Sequence, residues 1–547
     1  MLISKWMSQS RAYGHIRSKF FLTGMLLLLL SLSPIHAQSS YWLFLKDKSA
    51  EGFDPAKYFD NSVLERRMAE HLPLFDSADL PLNRNYIAEI RELVSRIRFE
   101  SRWLNAVKVN ASEIQILKLK ELPFISGIKK ASEIEVKISS KFNNKDWTRL
   151  DAKGQEELLK NQIAVMQGNL FKDYHLDGKG VKIAILDIGF AGVNKNPVFK
   201  KIRDENRILK TWDFIRNHEN VYGHDTHGGT VLSCIAGISE KGNIGLATGA
   251  EFLLAITETI GEEFFEEENW LAAMEWAHRN GANIISSSLG YTYHRYYTSD
   301  LDGKTSLVSR AANIAAAKGM LVVNAMGNEG DNSWQFMGTP ADADSVLSVA
   351  GIDPTSGLHI DFSSFGPTSD MRRKPNVAAF GKVIAASKRS VATEYGTSFS
   401  TPLVTGFAAC VWQLHPEMNN MQVFHEVERS GNLYPYYDYA HGYGIPQASA
   451  ALAIKSETIP SFEFGMKDNK IEVRVKIFVD DTDGTGYSNS YLYYHIQNKK
   501  GYLEHYAVIK VQERVPFRLP VEDLEDGKIL RVFYHGYTAE YKITHTI

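Results

Sequence analysis

The chain has 547 residues, and at about 150 residues per domain this length predicts three or four folding units. Its composition, 44% hydrophobic and 23% charged, excludes wholesale disorder. The 61 basic and 64 acidic side chains leave a net charge of -3, which argues against a protein that binds nucleic acid, since such domains are usually strongly basic. Two cysteines, Cys234 and Cys410, cannot build a disulfide framework or a cysteine-rich zinc site.

The first 37 residues have the pattern of a secretory signal peptide. Basic residues precede an apolar run at residues 20–32, and Ala37 is a small residue at a plausible cleavage site. The run is shorter than the roughly 20 residues that a membrane-spanning helix needs. We therefore expect an exported protein, secreted, periplasmic or on the cell surface, with no membrane span once the signal is removed. A retained N-terminal anchor is the alternative.

Residues 38–157 predict a small α/β domain followed by a linker. The order of elements is β-α-β-α-β with one element expected to be missing, which suits a small α/β sandwich, and the polar stretch at 143–154 resembles a linker. The predicted strands are 41–45, 103–109 and 124–128, and the predicted helices are 64–72, 86–97 and 111–119.

Residues 158–455 predict an α/β domain with a mostly parallel sheet covered by helices. Runs that are apolar on both faces are typical of such a sheet. The predicted strands are 181–186, 252–256, 282–285, 320–323 and 346–350, and the predicted helices include 266–279 and 306–318. Five glutamates at 262–268 suggest either a cation site or a solvated helix start; the macrodipole favours the second interpretation.

Residues 456–547 predict an all-β module. Apolar residues alternate along 470–479, and further strands are expected at 491–496, 506–511, 529–534 and 541–543. The acidic stretch 480–484 lacks the ligand spacing of a helical calcium loop and is interpreted as a hairpin turn.

Three segments of the middle domain carry residues suited to catalysis. Asp187 ends a predicted buried strand, which is where ligand sites gather in open α/β sheets, although such residues often only cap a loop. His224 and His227 precede a helix of small residues, and a metal site is the competing interpretation of this pair. Ser398 lies in residues 396–402 (GTSFSTP), where it serves either as a helix cap or as a nucleophile beside the positive helix end.

These segments, in the order Asp, His, Ser, resemble those of the subtilisin-like serine proteases. The match of residues 396–402 to the serine motif of that family is complete. Residues 286–290 (SSSLG) resemble its substrate-pairing strand, and residues 322–330 (VVNAMGNEG) resemble the segment with its oxyanion-hole asparagine. The resemblance covers residues 158–455, and it implies a subtilisin-like fold and a serine endopeptidase.

The resemblance assigns a role to each matching residue. Asp187, His227 and Ser398 would form the catalytic triad, and Asn328 would belong to the oxyanion hole. Ser288, Leu289 and Gly290 would pair with the substrate, and Ala325, Met326 and Gly327 would line the pocket for the residue before the scissile bond. Cys234 and Cys410 would then lie on the helices that begin with the catalytic histidine and serine, where we expect buried free thiols.

Two positions depart from the family pattern. Ile188 stands where the family usually has Ser or Thr, and Gly229 stands where the histidine motif usually has Thr. His224, followed by Thr226, is therefore an alternative base. His227 is preferred because Ser233 and other small residues then fall where the family packs its helix against the core.

Residues 41–130 resemble the prodomain of the family, an intramolecular chaperone and inhibitor. The resemblance therefore implies a self-processed zymogen whose partners are protein or peptide substrates and its own prodomain. No cofactor is implied for catalysis; structural calcium is common in the family, but no site is assignable here. A catalytically impaired homologue acting as a binding or chaperone protein is the alternative function. A lipase or esterase would show Gly-x-Ser-x-Gly and the order Ser, Asp, His, which this sequence lacks.

Overall fold

The computed structural model describes residues 39–131, 150–259, 261, 265–293, 295–454, 458–477, 490–512, 515–520 and 525–544. The expected signal peptide and the acidic stretch 480–484 lie outside these residues. The chain divides into two compact units. The first contains residues 39–50 and 80–131, and the second contains Glu51–Asp79 together with the described chain from residue 150 onward.

The first unit is a small α/β fold built on one antiparallel sheet with the strand order β2-β3-β1-β4. Its core joins the sheet to two helices, through Ile87 and Ile90 of one and Ile116 and Leu119 of the other. The elements up to residue 131 are β1 (Ser39–Leu45), α1 (Pro55–Tyr58), α2 (Asn61–Ala69), α3 (Arg84–Leu93), β2 (Arg96–Ser101), β3 (Ala106–Ala111), α4 (Glu113–Lys120) and β4 (Ile125–Lys130).

One strand of this sheet was not expected from the sequence. The predicted helix at 86–97 ends at Leu93, because Val94 already has extended backbone angles. Residues 96–101 then form β2, in which exposed and partly buried side chains alternate. The apolar spacing of Val94 and Ile97 continued the helical pattern, so periodicity alone placed the boundary too late.

The second unit contains a seven-stranded parallel sheet with the order β13-β12-β11-β10-β5-β9-β6. All five predicted strands are present, whereas β6 and β13 were missed. The strands from residue 150 to 454 are β5 (Lys182–Asp187), β6 (Ile208–Asp213), β7 (Ile238–Ser239), β8 (Gly242–Asn243), β9 (Glu251–Ile256), β10 (Ile284–Ser287), β11 (Leu321–Ala325), β12 (Val346–Ile352), β13 (Val377–Phe380), β14 (Lys382–Ala386) and β15 (Val391–Tyr395).

Helices cover this sheet, and one core cluster contains residues of both. Strands of a covered parallel sheet must be apolar on both sides, which is why every residue of β5 and β11 is buried. The helices are α5 (Ala152–Ala164), α6 (Gly168–Asp173), α7 (Lys200–Asp204), α8 (His227–Ala236), α9 (Glu266–Arg279), α10 (Leu307–Ala317), α11 (Thr397–Leu414), α12 (Asn420–Arg429) and α13 (Ala448–Ala451), with 3-10 turns at Pro197–Phe199 and Thr298–Asp300.

The expected boundary between residues 157 and 158 falls inside α5. Asp151 caps this helix, and the side chains of Leu158 and Leu159 are buried in the core of the second unit. The buried Gln162 accepts a hydrogen bond from the N–H of Ile384 and donates to the carbonyl groups of Ile244 and Ile384. Residues 152–154 are therefore helical, and the predicted linker is wrong there; its part at 143–149 lies outside the described residues.

The glutamates at the start of α9 are buried, which contradicts the expected solvated helix start. Glu266, Glu267 and Glu268 are each less than 10% exposed. Arg295 forms ion pairs with Glu266 and Glu267, and Tyr296 donates a hydrogen bond to Glu267. The cation that compensates Glu266 and Glu267 is thus a side chain about 30 residues away, which local composition does not reveal. Glu262 and Glu263 of the predicted cluster lie outside the described residues.

The C-terminal β-rich module is present as predicted. It consists of a three-stranded sheet, β16-β17-β20, and a four-stranded sheet, β19-β18-β21-β22, around one shared core. A further cluster joins Leu433 and Tyr436 of the α/β part to Tyr493 and Phe533 of the module. The strands are β16 (Phe462–Lys467), β17 (Lys470–Val475), β18 (Tyr491–Gln497), β19 (Leu503–Lys510), β20 (Phe517–Pro520), β21 (Ile529–Tyr534) and β22 (Tyr537–Lys542).

Cys234 and Cys410 are free and buried, as predicted, on α8 and α11. Burial raises the pKa of both thiols, so both remain protonated and unreactive near neutral pH. Within the described residues no helix is both long and apolar enough to cross a membrane. The same residues contain no group of three or more His, Cys, Asp or Glu side chains placed to hold a metal ion.

Candidate active site

Asp187 and His227 meet at the carboxyl end of the central strand β5. Asp187 is its last residue, only 1% of its side chain is exposed, and its Oδ1 accepts a hydrogen bond of 2.8 Å from Nδ1–H of His227. The N–H of Ile188 donates to the same carboxylate oxygen. His227 begins α8, and one third of its side chain (33%) remains exposed. Asp187 therefore holds Nδ1 of His227, while part of the imidazole ring remains accessible to solvent.

The contact requires the helix to approach the strand end very closely. A Cβ on Gly228 would lie 2.6 Å from the carbonyl oxygen of Gly189 and 2.9 Å from Cβ of Asp187, so only glycine fits there. A Cβ on Gly229 would lie 3.1 Å from Cγ2 of Val193. The departure from the family pattern at Gly229 therefore matches the bulk of Val193 on the facing loop.

His224 lies apart from this contact. It is exposed, has a left-handed backbone conformation (φ 69°), and pairs through its backbone with Gly189. The side chain of Asp225 accepts a hydrogen bond from the N–H of His227 and so positions the start of α8. The structure thus brings His227, and not His224, into hydrogen bonding with Asp187.

Ser398 is the second residue of α11, which begins after Gly396 in a positive-φ conformation (140°). Its Oγ lies 3.4 Å from the carbonyl oxygen of Ser288, and the following ring, that of Phe399, lies 5.5 Å from the imidazole of His227 between centroids. The first N–H groups of a helix have no partner within the helix, so the turn offers amide donors beside the serine.

Pro402 is the sixth residue of α11 and therefore lies beyond the first turn of that helix. A proline there removes the N–H that would bond to the carbonyl of Ser398 in a regular helix. That carbonyl instead accepts a hydrogen bond of 2.9 Å from Oγ of Ser288. The proline therefore leaves the serine turn available for a bond to the neighbouring strand end.

Asn328 lies in the loop after β11 and is tied to the serine turn. Its Oδ1 accepts hydrogen bonds from the backbone N–H and from Oγ1 of Thr397, at 2.9 and 3.0 Å. Because a backbone N–H can bond only to the oxygen of the amide, the opposite Nδ2 group is directed away from Thr397. Nδ2 lies 3.5 Å from the position that a Cβ would occupy if Gly396 carried one. The amide group of Asn328 thus lies beside the start of the helix that contains Ser398.

The expected substrate-pairing residues follow β10 directly. Ser288 is linked to Ser398 as described, and the carbonyl of Leu289 accepts a hydrogen bond from Nδ2 of Asn324. Gly290 is exposed, and the next residue, Tyr291, pairs with Thr339 through two backbone hydrogen bonds. The segment is therefore held extended at both ends.

The three expected pocket residues differ in what they present. Met326 has a fully buried side chain that packs in a cluster with Leu301, Trp334, Met337 and Ala341, so it contributes only backbone to a pocket. Ala325 is buried, and a Cβ on Gly327 would lie 2.8 Å from Oγ of Ser364. Glu329 accepts a hydrogen bond from Asn332 in the next turn, which favours a structural role for its carboxylate.

Glu394 is a residue near His227 that sequence reasoning missed. It lies on β15, and the hairpin β14–β15 is fastened to α8 by hydrogen bonds of Thr230 and Ser233 to Ala386. Burial opposes the charged form of His227, but Asp187, Asp225 and Glu394 outweigh it and raise the pKa of the imidazole. The sequence offers no signal for Glu394, because only the hairpin brings it close.

Two segments of the chain match known protein families. Residues 178–444 match the Subtilase family, and residues 40–148 match the Peptidase S8 propeptide domain of Bacteroidota. The parallel sheet with Asp187, His227 and Ser398 at one edge belongs to the subtilisin-like fold. The chain contains a subtilase domain, as the sequence motifs predicted, together with a propeptide domain, and these matches and its subtilisin relatives indicate a serine-type endopeptidase.

The chain is also similar to individual named proteases and to a solved structure. The chain is 28% identical to Subtilisin BL of Lederbergia lenta over 284 residues, which are 50% of this chain and 92% of that protein. It is 27% identical to a thermostable alkaline protease of Halalkalibacterium halodurans over 255 residues, 46% of this chain and 62% of that protein. The structure of Sphericase is 25% identical, with a TM-score of 0.42 over 50% of this chain and 92% of that one.

We expect Glu394→Gln to lower the pKa of His227. Removing a nearby negative charge destabilises the imidazolium relative to the neutral ring, so the titration midpoint should move to lower pH. NMR titration of the imidazole nitrogens measures this midpoint, with the resonance assigned by its loss in His227→Gln. Glu157→Gln, at an exposed position on α5, is the matched control and should leave the midpoint unchanged. An unshifted midpoint in Glu394→Gln would contradict the electrostatic role.

Proposed function

We propose that the protein is an exported serine endopeptidase that cleaves peptide bonds through Asp187, His227 and Ser398 and is made as a self-processed zymogen. The observation that carries this proposal is the 2.8 Å bond between Asp187 and His227, at the sheet edge where the serine turn of α11 also lies. The proposed reaction uses only groups of the protein and a water molecule, and we assign no residue to structural calcium.

Each member of the triad has a defined task in this mechanism. A serine hydroxyl is a weak nucleophile until a base accepts its proton during attack on the carbonyl carbon. His227 accepts that proton at Nε2 and later transfers it to the leaving amine as the C–N bond breaks. Asp187 holds Nδ1–H and stabilises the imidazolium that forms between these steps. Water then attacks the acyl-enzyme, again with His227 as base.

The negative charge of the tetrahedral intermediate needs donors that are already in place. The contacts of Asn328 support this role, since Thr397 holds its Oδ1 and its Nδ2 lies near Gly396, two residues before Ser398. The backbone N–H of Ser398 lies in the first turn of α11 and is the second donor we propose. Donors fixed before the reaction stabilise the transition state without reorganisation.

The substrate binds as an additional extended strand along Ser288, Leu289 and Gly290. Main-chain hydrogen bonds of such a strand provide affinity without strong dependence on sequence. Backbone of Ala325, Met326 and Gly327 borders the pocket for the residue that precedes the scissile bond. The 2.9 Å bond between Ser288 and Ser398 supports this placement, because it couples the proposed binding strand directly to the nucleophile.

We propose a domain organisation that follows this function. Residues 1–37 serve as the signal peptide and residues from 38 up to the start of α5 as the propeptide. The peptidase domain begins near Asp151 rather than at residue 158 and extends to residue 455, and residues 456–547 form the β-rich module. The burial of Leu158 and Leu159 in the peptidase core supports the earlier boundary.

The first test separates an active peptidase from an impaired homologue that only binds proteins. The wild type should react with a fluorophosphonate and cleave casein, while Ser398→Ala should do neither, with turnover about 10⁶-fold lower, as for loss of the serine in subtilisin, the known example of this effect. His227→Ala should be equally inactive, whereas His224→Ala, which changes an exposed side chain, should retain activity. Activity lost with His224 and kept without His227 would reverse the assignment of the base.

A second prediction concerns Asn328. Asn328→Leu should lower kcat by roughly 10² to 10³ with little change in KM, because the lost donor acts on the transition state. Asn328→Asp keeps an acceptor for Thr397 but lacks the Nδ2 donor, so it should be at least as impaired. Steady-state kinetics on a peptide substrate provide both constants, with Asp331→Asn in the same loop as the control. An active Asn328→Asp enzyme would mean that the residue only anchors Thr397.

A third prediction concerns maturation. Within the range 140–160, the N-terminus of the secreted wild type should lie upstream of Ala152, where α5 begins. A protease binds extended backbone, and α5 is a helix packed into the peptidase core. Ser398→Ala expressed alone should accumulate as a precursor that begins near Gln38. N-terminal sequencing of both proteins is the measurement. A mutant cut at the wild-type position would show that another protease makes the cut.

A further inference from the structure

One segment of the propeptide region belongs structurally to the peptidase. Glu51–Asp79 lies inside residues 40–148, which match the propeptide domain, and outside residues 178–444, which match the peptidase. Its contacts nevertheless place it in the compact unit of the peptidase, while the sequence before and after it forms the separate α/β fold of the first unit. We call this segment, which contains α1 and α2, the docking segment.

The docking segment completes the end of a peptidase helix. The last carbonyl groups of a helix have no partner within it. The N–H of Asp60 donates a 2.8 Å hydrogen bond to the carbonyl of Arg279, the last residue of α9. Arg66 donates to the carbonyl of Ala282 just beyond that helix, and Lys182 approaches the carboxylate of Asp60 at 3.5 Å. Two hydrogen bonds and an ion pair thus join the docking segment to this part of the peptidase.

Apolar packing accompanies these bonds. Phe59 and Val63 of the docking segment are buried, and the ring of Phe59 lies against the imidazole of His278 at 5.3 Å between centroids. Burial lowers the pKa of His278, and the positive charges of Lys318, Arg66 and Arg67 lower it further, so the ring that Phe59 meets is neutral. The contact therefore resembles a small piece of protein core.

Lys318, directly after α10, forms an ion-pair cluster with the segment. Its Nζ donates to Asp79 at 2.7 Å and to Asp76 at 2.9 Å. Arg67 of the docking segment bonds to the other oxygen of Asp79 at 2.9 Å. Lys318 is 4% exposed and Asp79 is 1% exposed, so this pair is shielded from solvent and screened little by salt, while Asp76 is 50% exposed. Losing one partner of a buried pair leaves an uncompensated charge.

We propose that the peptidase surface at the ends of α9 and α10, centred on Lys318 and His278, is the binding site for the docking segment and retains the propeptide after it has been cut from the peptidase. The inference rests on the proposed maturation between the two domains. A cut downstream of residue 131 and before α5 leaves the docking segment and the peptidase on different chains. Every bond between the docking segment and the peptidase then becomes an intermolecular bond. The rate at which the two fragments separate depends on these bonds.

The position of this surface gives the propeptide an attachment that does not involve the catalytic residues. The residues that bind the docking segment lie at the C-terminal ends of α9 and α10 and at the start of β5, whereas Asp187 and Ser398 lie at the end of β5 and the start of α11. Its partner is defined by chemistry: a short helical segment with an aromatic side chain, two neighbouring carboxylates and an arginine. The peptidase surface at the ends of α9 and α10 then becomes free only when the propeptide fragment dissociates, and not at the moment of the cut.

The experiment uses the full chain carrying Ser398→Ala, with the recognition sequence of an unrelated site-specific protease inserted within residues 141–149. After cleavage by that protease, the dissociation rate of the labelled N-terminal fragment from the captured peptidase fragment is measured. The wild-type surface should retain the fragment through gel filtration at low micromolar concentration. Lys318→Met should accelerate dissociation at least about 100-fold, as expected when one partner of a buried ion pair is lost.

Two further variants make the result specific. Lys304→Met, at an exposed lysine shortly before α10, should dissociate at the wild-type rate. Asp76→Asn, at a half-exposed position, should accelerate dissociation less than Lys318→Met, and combining the two should add less than the sum of their separate effects, because both act on one cluster. Thermal unfolding of each uncut chain verifies that the variants are folded.

The outcomes are decisive in both directions. The proposal would be overturned if the N-terminal fragment dissociated from the wild-type peptidase fragment as soon as the chain is cut, or if it dissociated from the Lys318→Met peptidase fragment at the wild-type rate. Fully additive effects of Lys318→Met and Asp76→Asn would exclude the cluster as a unit. Because an unrelated protease makes the cut, the result does not depend on self-processing, which is read separately from the N-terminus of the secreted wild type.

Discussion

The close approach of α8 to the end of β5 is the constraint on which the site depends. Asp187 and His227 are 40 residues apart, and they bond at 2.8 Å because Gly228 carries no Cβ where the helix touches the strand end. The same approach buries Asp187, which strengthens its hold on the imidazole in a surrounding of low polarity. The hairpin β14–β15 is fastened to α8 in turn, and it adds the charge of Glu394.

A second set of bonds joins three chain segments at the same edge of the sheet. Ser288 after β10, Asn328 after β11 and Thr397 at the start of α11 are linked directly or through Ser398. The carboxyl ends of neighbouring parallel strands lie side by side, so loops that are distant in sequence meet there. Pro402 contributes by leaving the carbonyl of Ser398 without its helical partner. The serine turn is therefore positioned by its neighbours as well as by its helix.

Sequence patterns were sufficient where a single local property governs structure. Strands buried on both faces, such as β5 and β11, were predicted because a covered parallel sheet demands continuous apolar runs. Strand β6 was missed because most of its residues are partly or fully exposed, so it lacks a continuous apolar run. Strand β13, a short buried strand, was also missed. Glu266 was misjudged because Arg295, its partner, comes from a loop beyond the next strand. The error at Glu266 therefore arises from a contact between distant parts of the chain, which no local pattern contains.

The sequence by itself determined the family, the order of the domains and the identity of Asp187, His227 and Ser398 as candidates, because these depend on short motifs with characteristic neighbours. Only the tertiary structure distinguished the geometry of His227 from that of His224, brought Glu394 to the imidazole, and showed Glu51–Asp79 to belong with the peptidase unit. The physical reason is common to all three. Distances between side chains far apart in sequence are set by how helices and strands pack, and no local pattern of residues contains that packing.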